Sequence, residues 1–332
     1  MYRKNGDRMK KLWKIILSIL AVMILIVAVL VQVFGPVYGP LLTGKPIYLV
    51  EPKPSRYGQI AFNHMDTMGL YRTSEEWQAN REKFEDELGS VTNEEDLLLK
   101  LNEAIILAGG KHSFADQHLT EEEMREEYQE PVAKEEANVL YLELPTFAAS
   151  LDLAQDYADT LMTGLKKAND YQGIIIDLRG NRGGDMGPML AGLSPLLEDG
   201  ELLSFVYGEN EVPVTLEDGS IEGGGSPISV ENIKKIKDLP IAVLIDHDTA
   251  SSAELTLLAL KENENVKTFG EETRGLTSVN QTINLTEDIY LALTIGSVKT
   301  RSGENYKEQP IQADVPSQQA KEDALQWIQE MK

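Results

Sequence analysis

Ile241-Ala-Val-Leu-Ile245, followed by Asp248-Thr249-Ala250-Ser251-Ser252-Ala253-Glu254, decides the fold. An apolar run of strand length breaks at a turn of small residues, and a helical pattern resumes from Ala253 to Leu260. A strand that feeds directly into a helix is the unit from which parallel and mixed α/β sheets are built. The same turn has chemical potential. Ser251 would stand at a helix N-terminus, where unpaired backbone N–H groups stabilise developing negative charge. An ordinary Ser/Thr N-cap gives the same pattern, so this turn alone does not separate a nucleophile from a cap.

A second segment repeats the design. Tyr171-Gln-Gly-Ile-Ile-Ile-Asp177-Leu-Arg179-Gly180-Asn181-Arg182-Gly183-Gly184-Asp185 reads as a buried strand, a glycine-dense loop and a helix starting near Met186 or Pro188. Paired glycines let backbone N–H groups approach a ligand closely, a suitable geometry for one side of an oxyanion hole. A phosphate cradle is the competing reading. It lacks the Gly-Lys-Ser/Thr ending of a P-loop and the Gly-x-Gly-x-x-Gly spacing of a dinucleotide site.

In that order and about seventy residues apart, Asp-Leu-Arg-Gly-Asn-Arg-Gly-Gly and Thr-Ala-Ser-Ser-Ala-Glu resemble the C-terminal processing, or tail-specific, serine peptidase superfamily. Phe269-Gly270-Glu271-Glu-Thr273-Arg-Gly275 with Ser278-Val279, and Gln309-Pro310-Ile311-Gln-Ala-Asp314-Val315, carry the resemblance onward, so that it covers residues 135 to 316. The general plan of the chain is similar to the nisin-resistance branch, membrane-anchored peptidases that truncate lantibiotics outside the cell. That plan comprises a basic start, one hydrophobic anchor, an acidic helical region, Ala108-Gly109-Gly110-Lys111-His112-Ser113-Phe114 and then the peptidase motifs, without room for a PDZ domain.

One departure bears on mechanism. Processing peptidases take a lysine as base from a Gly-Lys-Gly-Ser-Val-Gln pattern, whereas this chain reads Gly275-Leu276-Thr277-Ser278-Val279-Asn280. Another base is needed, and the unperturbed pKa of histidine, about 6.5, suits neutral pH. The four histidines are His64, His112, His118 and His247. His112 follows two glycines that can stop the helical pattern Leu97 to Ala108, and the resemblance to the nisin-resistance branch places the base there. His64 reads as a surface or packing residue of a helix, His118 as solvated among acidic neighbours, and His247 as a strand-end residue pointing away.

The resemblance thus implies a Ser251–His112 dyad, with the oxyanion held by the N–H of Ser252 and that of Gly183 or Gly184. Glu254, Asp177 or Asp246 could orient the histidine if the fold brings one beside it; turn chemistry is the alternative for the two aspartates. Asp185, Met186 and Glu254 are candidate substrate contacts, the alternative for Asp185 and Glu254 being helix capping. No metal or cofactor is expected, because the histidines lack metal-ligand spacing and cysteine is absent. Absence of cysteine also excludes disulfides, a thiol nucleophile and a lipoprotein anchor.

Ile15 to Phe34 contains no charge, and twenty residues at about 1.5 Å rise span a hydrocarbon core of about 30 Å. Arg3, Lys4, Arg8, Lys10, Lys11 and Lys14 precede it against Asp7, which keeps the N-terminus cytoplasmic. A cleaved signal peptide fits less well, since Phe34-Gly-Pro-Val-Tyr-Gly-Pro offers no Ala-x-Ala site. Beyond residue 14 the chain keeps 25 basic against 53 acidic residues, a net of −28. Nucleic acid and anionic lipid are therefore disfavoured as partners of the external part, and a cationic peptide is favoured, although acidic surfaces also serve solubility. Cooperation with a peptide-exporting transporter stays open as a further partnership.

The expected organisation is a basic tail (1–14), a transmembrane anchor (15–34), a juxtamembrane linker (35–54), a helical region carrying His112 (55–134) and a peptidase core (135–332). The fold class is α/β, a mixed sheet flanked by helices, joined to an N-terminal helical bundle and a small β-rich cap insertion at 200–232. Strand patterns at 139–144, 173–177, 241–246, 266–269 and 289–295 alternate with helical patterns at 151–169, 187–197 and 251–262. Two alternatives to the lantibiotic peptidase follow from the same motifs: a sequestering immunity protein with a peptidase-like fold, and a general tail-processing peptidase.

Overall fold

The computed structural model describes residues 2–331, and side chains for 12–331 apart from residue 41. Met1, Lys332 and the basic side chains of Arg3, Lys4, Arg8, Lys10 and Lys11 lie outside the described residues. The described residues divide into two compact units: 2–109 with 113–118 and 281–293, and 110–112 with 119–280 and 294–331.

The first unit opens with helix α1 (Tyr2–Thr43), which runs past the apolar stretch through Pro36 and Pro40. Leu12–Pro40 is long and apolar enough to cross a membrane, with a mean hydropathy of 3.1. Helices α2 (Pro54–Met68), α3 (Glu75–Ser90) and α4 (Glu94–Gly109) form the expected helical bundle. Ser74 caps α3 by accepting from the N–H of Trp77 at 3.1 Å, and Asn93 caps α4 by accepting from that of Asp96 at 2.9 Å. Trp77 stacks between Phe62 and Phe84, with centroids 5.9 Å from each, and donates its indole N–H to Asp66 at 3.0 Å. Strand β1 (Phe114–Gln117) pairs antiparallel with the first part of β11 (Ile289–Thr300), Phe114 opposite Ala292.

The second unit begins with α5 (Glu121–Glu127), β2 (Val132–Glu136), β3 (Val139–Glu143), α6 (Leu151–Leu165), β4 (Ile174–Asp177) and α7 (Gly187–Gly192). Strands β5 (Gly200–Tyr207), β6 (Asn210–Glu217) and β7 (Ser220–Glu222) follow, then β8 (Ile241–Ile245), α8 (Ser252–Lys261) and β9 (Val266–Gly270). After β10 (Ser278–Asn284) and β11 come β12 (Asn305–Tyr306), β13 (Val315–Pro316) and α9 (Ala320–Glu330). The central sheet has the order β13-β9-β8-β4-β3-β2. Its pairs are parallel except β2 with β3, so it is mixed, as the sequence suggests.

Side-chain alternation explains why both faces are covered. Leu140, Leu142, Ile174, Ile176, Ile241 and Val243 share a core with Tyr157 and Leu161 of α6 and with Leu257 and Leu258 of α8. Their neighbours Val139, Tyr141, Ile175, Ala242 and Leu244 point the other way and meet Ala320, Ala324 and Ile328 of α9. These three recur at a helical repeat, and α9 therefore buries one stripe of an otherwise polar helix. Strands β5, β6 and β7 form an antiparallel meander at the expected cap position, with Val214, Leu216 and Ile221 reaching the core.

Some segments differ from the sequence pattern. The helix expected over 187–197 ends at Gly192 and gives way to a 3-10 turn at Ser194–Leu196, consistent with the glycine and with Pro195, which has no N–H to donate. The acidic stretch after Thr120 forms a short helix, its start fixed by the reciprocal capping box of Thr120 and Glu123. His112 falls in the second unit, not with the helical bundle.

Candidate active site

Parallel strands β4 and β8 end side by side, Asp177 beside Leu244, and their following turns build the site where α/β sheets commonly present their ligands. Ser251 sits in the turn between β8 and α8 with φ 54° and ψ −122°, a conformation L-residues rarely adopt. Such strain persists only where neighbours enforce it. Here Ala250 donates its N–H to the Asn181 carbonyl at 2.9 Å, and Ser251 donates its own to Glu254 Oε2 at 2.9 Å. Gly183, at φ 97°, lies so close that an added Cβ would be 2.8 Å from Ser251 Cβ and from the Ser252 nitrogen.

His112 follows Gly110, whose φ of 99° turns the chain as only glycine does readily. Its Nε2 lies 3.0 Å from Ser251 Oγ, and its Nδ1 lies 2.8 Å from Ser278 Oγ. The backbone is fixed as well. The His112 N–H donates to Glu308 Oε1 at 2.9 Å, and its carbonyl accepts from Asn280 Nδ2 at 2.9 Å. For Nε2 to accept the Ser251 proton, Nδ1 must carry hydrogen and donate to Ser278 Oγ. Ser278 Oγ can accept that hydrogen, and at 2.8 Å it fixes the orientation of the ring.

Burial holds the His112 imidazole well below its ordinary pKa, at about 4, and the neighbouring Lys111 ammonium pushes the same way. His112 is 6% exposed, and its lowered pKa leaves the ring neutral across the neutral pH range. A base must be unprotonated, so activity is expected to fall only as pH drops through about 4. Lys111→Gln should move that limb upward. A kcat/KM profile from pH 3.5 to 8, with circular dichroism to follow folding, checks both; a limb at about 6.5, the unperturbed value, would contradict the burial argument.

The other sequence candidates separate clearly. Gly183 donates its N–H to Asn181 Oδ1 at 2.8 Å, so that donor is already taken. Ser252 uses its hydroxyl on the Gly184 carbonyl. Asp177 is bound by the Tyr141 hydroxyl and the Arg179 guanidinium, and Asp246 by the N–H groups of Gly180, Asp248 and Thr249; neither touches His112. Glu254 does not touch it either.

Two expected substrate contacts are corrected. Met186 is 3% exposed and packs into the core, its Cε beside Gly224 of the cap segment. Glu254 is 0% exposed, with both carboxylate oxygens accepting from backbone N–H groups, so no substrate group can reach it. Asp185 remains half-buried and accepts from the N–H groups of Gly187 and Ser226. His64 is half-buried, His118 stacks on Tyr290 at 4.7 Å, and His247 faces Glu271 at 3.4 Å. Among the described residues no group of three or more His, Cys, Asp or Glu side chains is placed to hold a metal ion.

The sequence offers carboxylates as partners for His112, whereas the structure places Ser278 there. A hydroxyl in a strand gives no local signal, and the only hint was its place two residues after Leu276, where the processing pattern has its lysine.

A strained serine at a strand-to-helix turn, facing an imidazole that a third side chain orients, is the arrangement of a serine hydrolase. Residues 138–317 match the family model "Peptidase family S41", and the chain belongs to that family. It is 43% identical over 285 residues to the nisin-resistance protein of Lactococcus lactis subsp. lactis, covering 85% of this chain and 89% of that one. With the carboxy-terminal processing protease CtpA of Bacillus subtilis (strain 168) it shares 28% identity over 184 residues, 54% of this chain but 35% of that protein. Among solved structures, a lipoprotein from Streptococcus agalactiae superposes with a TM-score of 0.75 at 29% identity, over 86% of this chain and 99% of that one. The photosystem II D1 C-terminal processing protease superposes with a TM-score of 0.52 at 12% identity, over 80% and 94%, a likeness of fold alone.

Proposed function

We propose that this chain is a membrane-anchored serine endopeptidase that shortens lantibiotic-type cationic peptides outside the cell and so confers resistance to them. The observation that carries the reading is the 3.0 Å approach of Ser251 Oγ to His112 Nε2. The similarity to a nisin-resistance protein over most of both chains supports the substrate class.

In the proposed reaction Ser251 Oγ attacks the peptide carbonyl carbon while its proton passes to His112 Nε2. The carbonyl oxygen becomes an oxyanion held by the N–H groups of Ser252 and Gly184. His112 then gives the proton to the leaving amine nitrogen and the C–N bond breaks. Water repeats the sequence on the acyl-enzyme: its proton goes to His112, its oxygen to the carbonyl carbon, and the proton returns to Ser251 as the acid leaves. Asp185 offers an acidic group to a cationic substrate beside the paired glycines, and the surplus of acidic residues attracts such a peptide over longer range.

Ser278 carries no charge, so it orients the imidazole without electrostatically stabilising the imidazolium. Ser278→Ala is therefore expected to lower kcat by about 10- to 100-fold, less than the ~10⁴-fold recorded where an aspartate sets the tautomer. Steady-state kinetics measure it; an unchanged kcat would remove Ser278 from the mechanism.

The apolar Leu12–Pro40 helix supports a single anchor, and the basic residues ahead of it support a cytoplasmic N-terminus. The test is mass spectrometry of nisin incubated with the full-length protein in detergent micelles. A peptide shortened by hydrolysis, its two pieces summing to nisin plus water, is the expected result. Nisin that is bound but stays intact would mean sequestration instead.

A further inference from the structure

We infer that Glu254 is a positioning residue, whose single buried carboxylate ties the nucleophile's backbone to the segment that presents the partner of His112. The inference rests on the Ser251–His112 reading above.

Oε2 accepts from the N–H of Ser251 at 2.9 Å and from that of Leu276 at 2.7 Å. Oε1 accepts from the N–H of Gly275 at 2.8 Å and from the Thr273 hydroxyl. All four partners are donors, so both oxygens must act as acceptors, a role only the ionised carboxylate fills completely. Burial pushes this carboxyl above its ordinary pKa, and the four hydrogen bonds oppose that push.

The connections lead to both halves of the dyad. The Leu276 carbonyl accepts from the Ser278 N–H at 2.9 Å, and Ser278 Oγ meets His112 Nδ1. Thr273 Oγ1 also accepts from the Ile311 N–H at 2.8 Å, and its own N–H donates to the Ile311 carbonyl at 3.0 Å. That places Glu254 two hydrogen bonds, through Thr273, from Ile311, three residues beyond Glu308, which holds the His112 N–H. Glu308 itself has a φ of 56°, so strained backbone stands on both sides of the pair. The carboxylate supplies the hydrogen bond on the strained Ser251 N–H, and without it that N–H loses its acceptor. Leu276, which cannot serve as a base, thus contributes through its backbone.

The full-length protein in detergent tests this with Glu254→Gln, Glu254→Ala, Thr273→Val and Thr273→Ser. Readouts are kcat and KM for nisin, the rate of fluorophosphonate labelling at Ser251, and Tm. Glutamine would turn an amide donor toward N–H donors, so Glu254→Gln should be no better than Glu254→Ala. In each, kcat and the labelling rate should fall about 100-fold, the effect of a misplacement near 1 Å, with KM within about threefold. Thr273→Val should slow both steps less, and Thr273→Ser should restore them; this pair decides the matter if the Glu254 variants do not fold. Ser251→Ala separates the two levels of inference. If it still shortens nisin, the peptidase reading fails; if it is inactive while folded Glu254→Gln and Thr273→Val keep wild-type kcat and labelling, the positioning role alone is overturned.

Discussion

Ser251→Ala is expected to lower kcat for nisin cleavage by about 10⁴- to 10⁶-fold, with peptide binding retained, because the variant loses the attacking atom and keeps the surrounding cleft. His112→Ala should fall within the same range. Ser251 Oγ and His112 Nε2 lie 3.0 Å apart, and the proposed proton transfer between them needs both. The double variant should therefore be no slower than the slower single variant, the non-additivity expected of residues acting as one unit. Chromatography and mass spectrometry over long incubations have the range to measure this. Effects that multiply would mean that the serine and the histidine act separately.

Gly183→Ala is expected to reduce kcat by at least about 100-fold through sterics alone, given what a shift near 1 Å costs in reactive alignment. At φ 97° a methyl group would stand 2.8 Å from Ser251 Cβ, the Ser252 nitrogen and the Ala250 carbonyl oxygen, so the nucleophile's turn must move. Backbone strain of about 1–3 kcal/mol should appear as a lowered Tm. Gly180→Ala is the control. Gly180 also has a positive φ, 72°, but a Cβ there meets nothing within 4 Å, so it should incur the strain and leave kcat unchanged. Equal kcat losses in the two variants would remove the steric argument.

The legible parts of this fold are those that bury continuous apolar runs. Ile241–Ile245 and Ile174–Ile176 are buried at every position, so composition alone marks them as central strands. Val132–Glu136 is harder to read, because an edge strand pairs on one side only and its lysine and glutamates face solvent. Helix α9 hides similarly: its buried Ala320, Ala324 and Ile328 form a narrow stripe among polar residues.

The site divides along the same line. Ser251 and the paired glycines announce themselves through local turn chemistry, whereas His112 could be chosen among four histidines only through family resemblance. Ser278, Asn280 and Glu308 act on His112 from 166, 168 and 196 residues away, and such partnerships leave no periodicity. Met186 and Glu254 flank reactive turns in sequence, yet their side chains turn inward, because a position in a motif does not specify which way a residue faces.

In the proposed mechanism the orientation of His112 toward Ser251 makes that serine the activated hydroxyl of this chain. Peptide mapping by mass spectrometry after treating the full-length protein with a fluorophosphonate tests it most directly. A single adduct is expected on the peptide carrying Ser251, absent from Ser251→Ala and slowed by orders of magnitude in His112→Ala. Labelling of Ser252 or another hydroxyl instead, or equal labelling with and without His112, would contradict it.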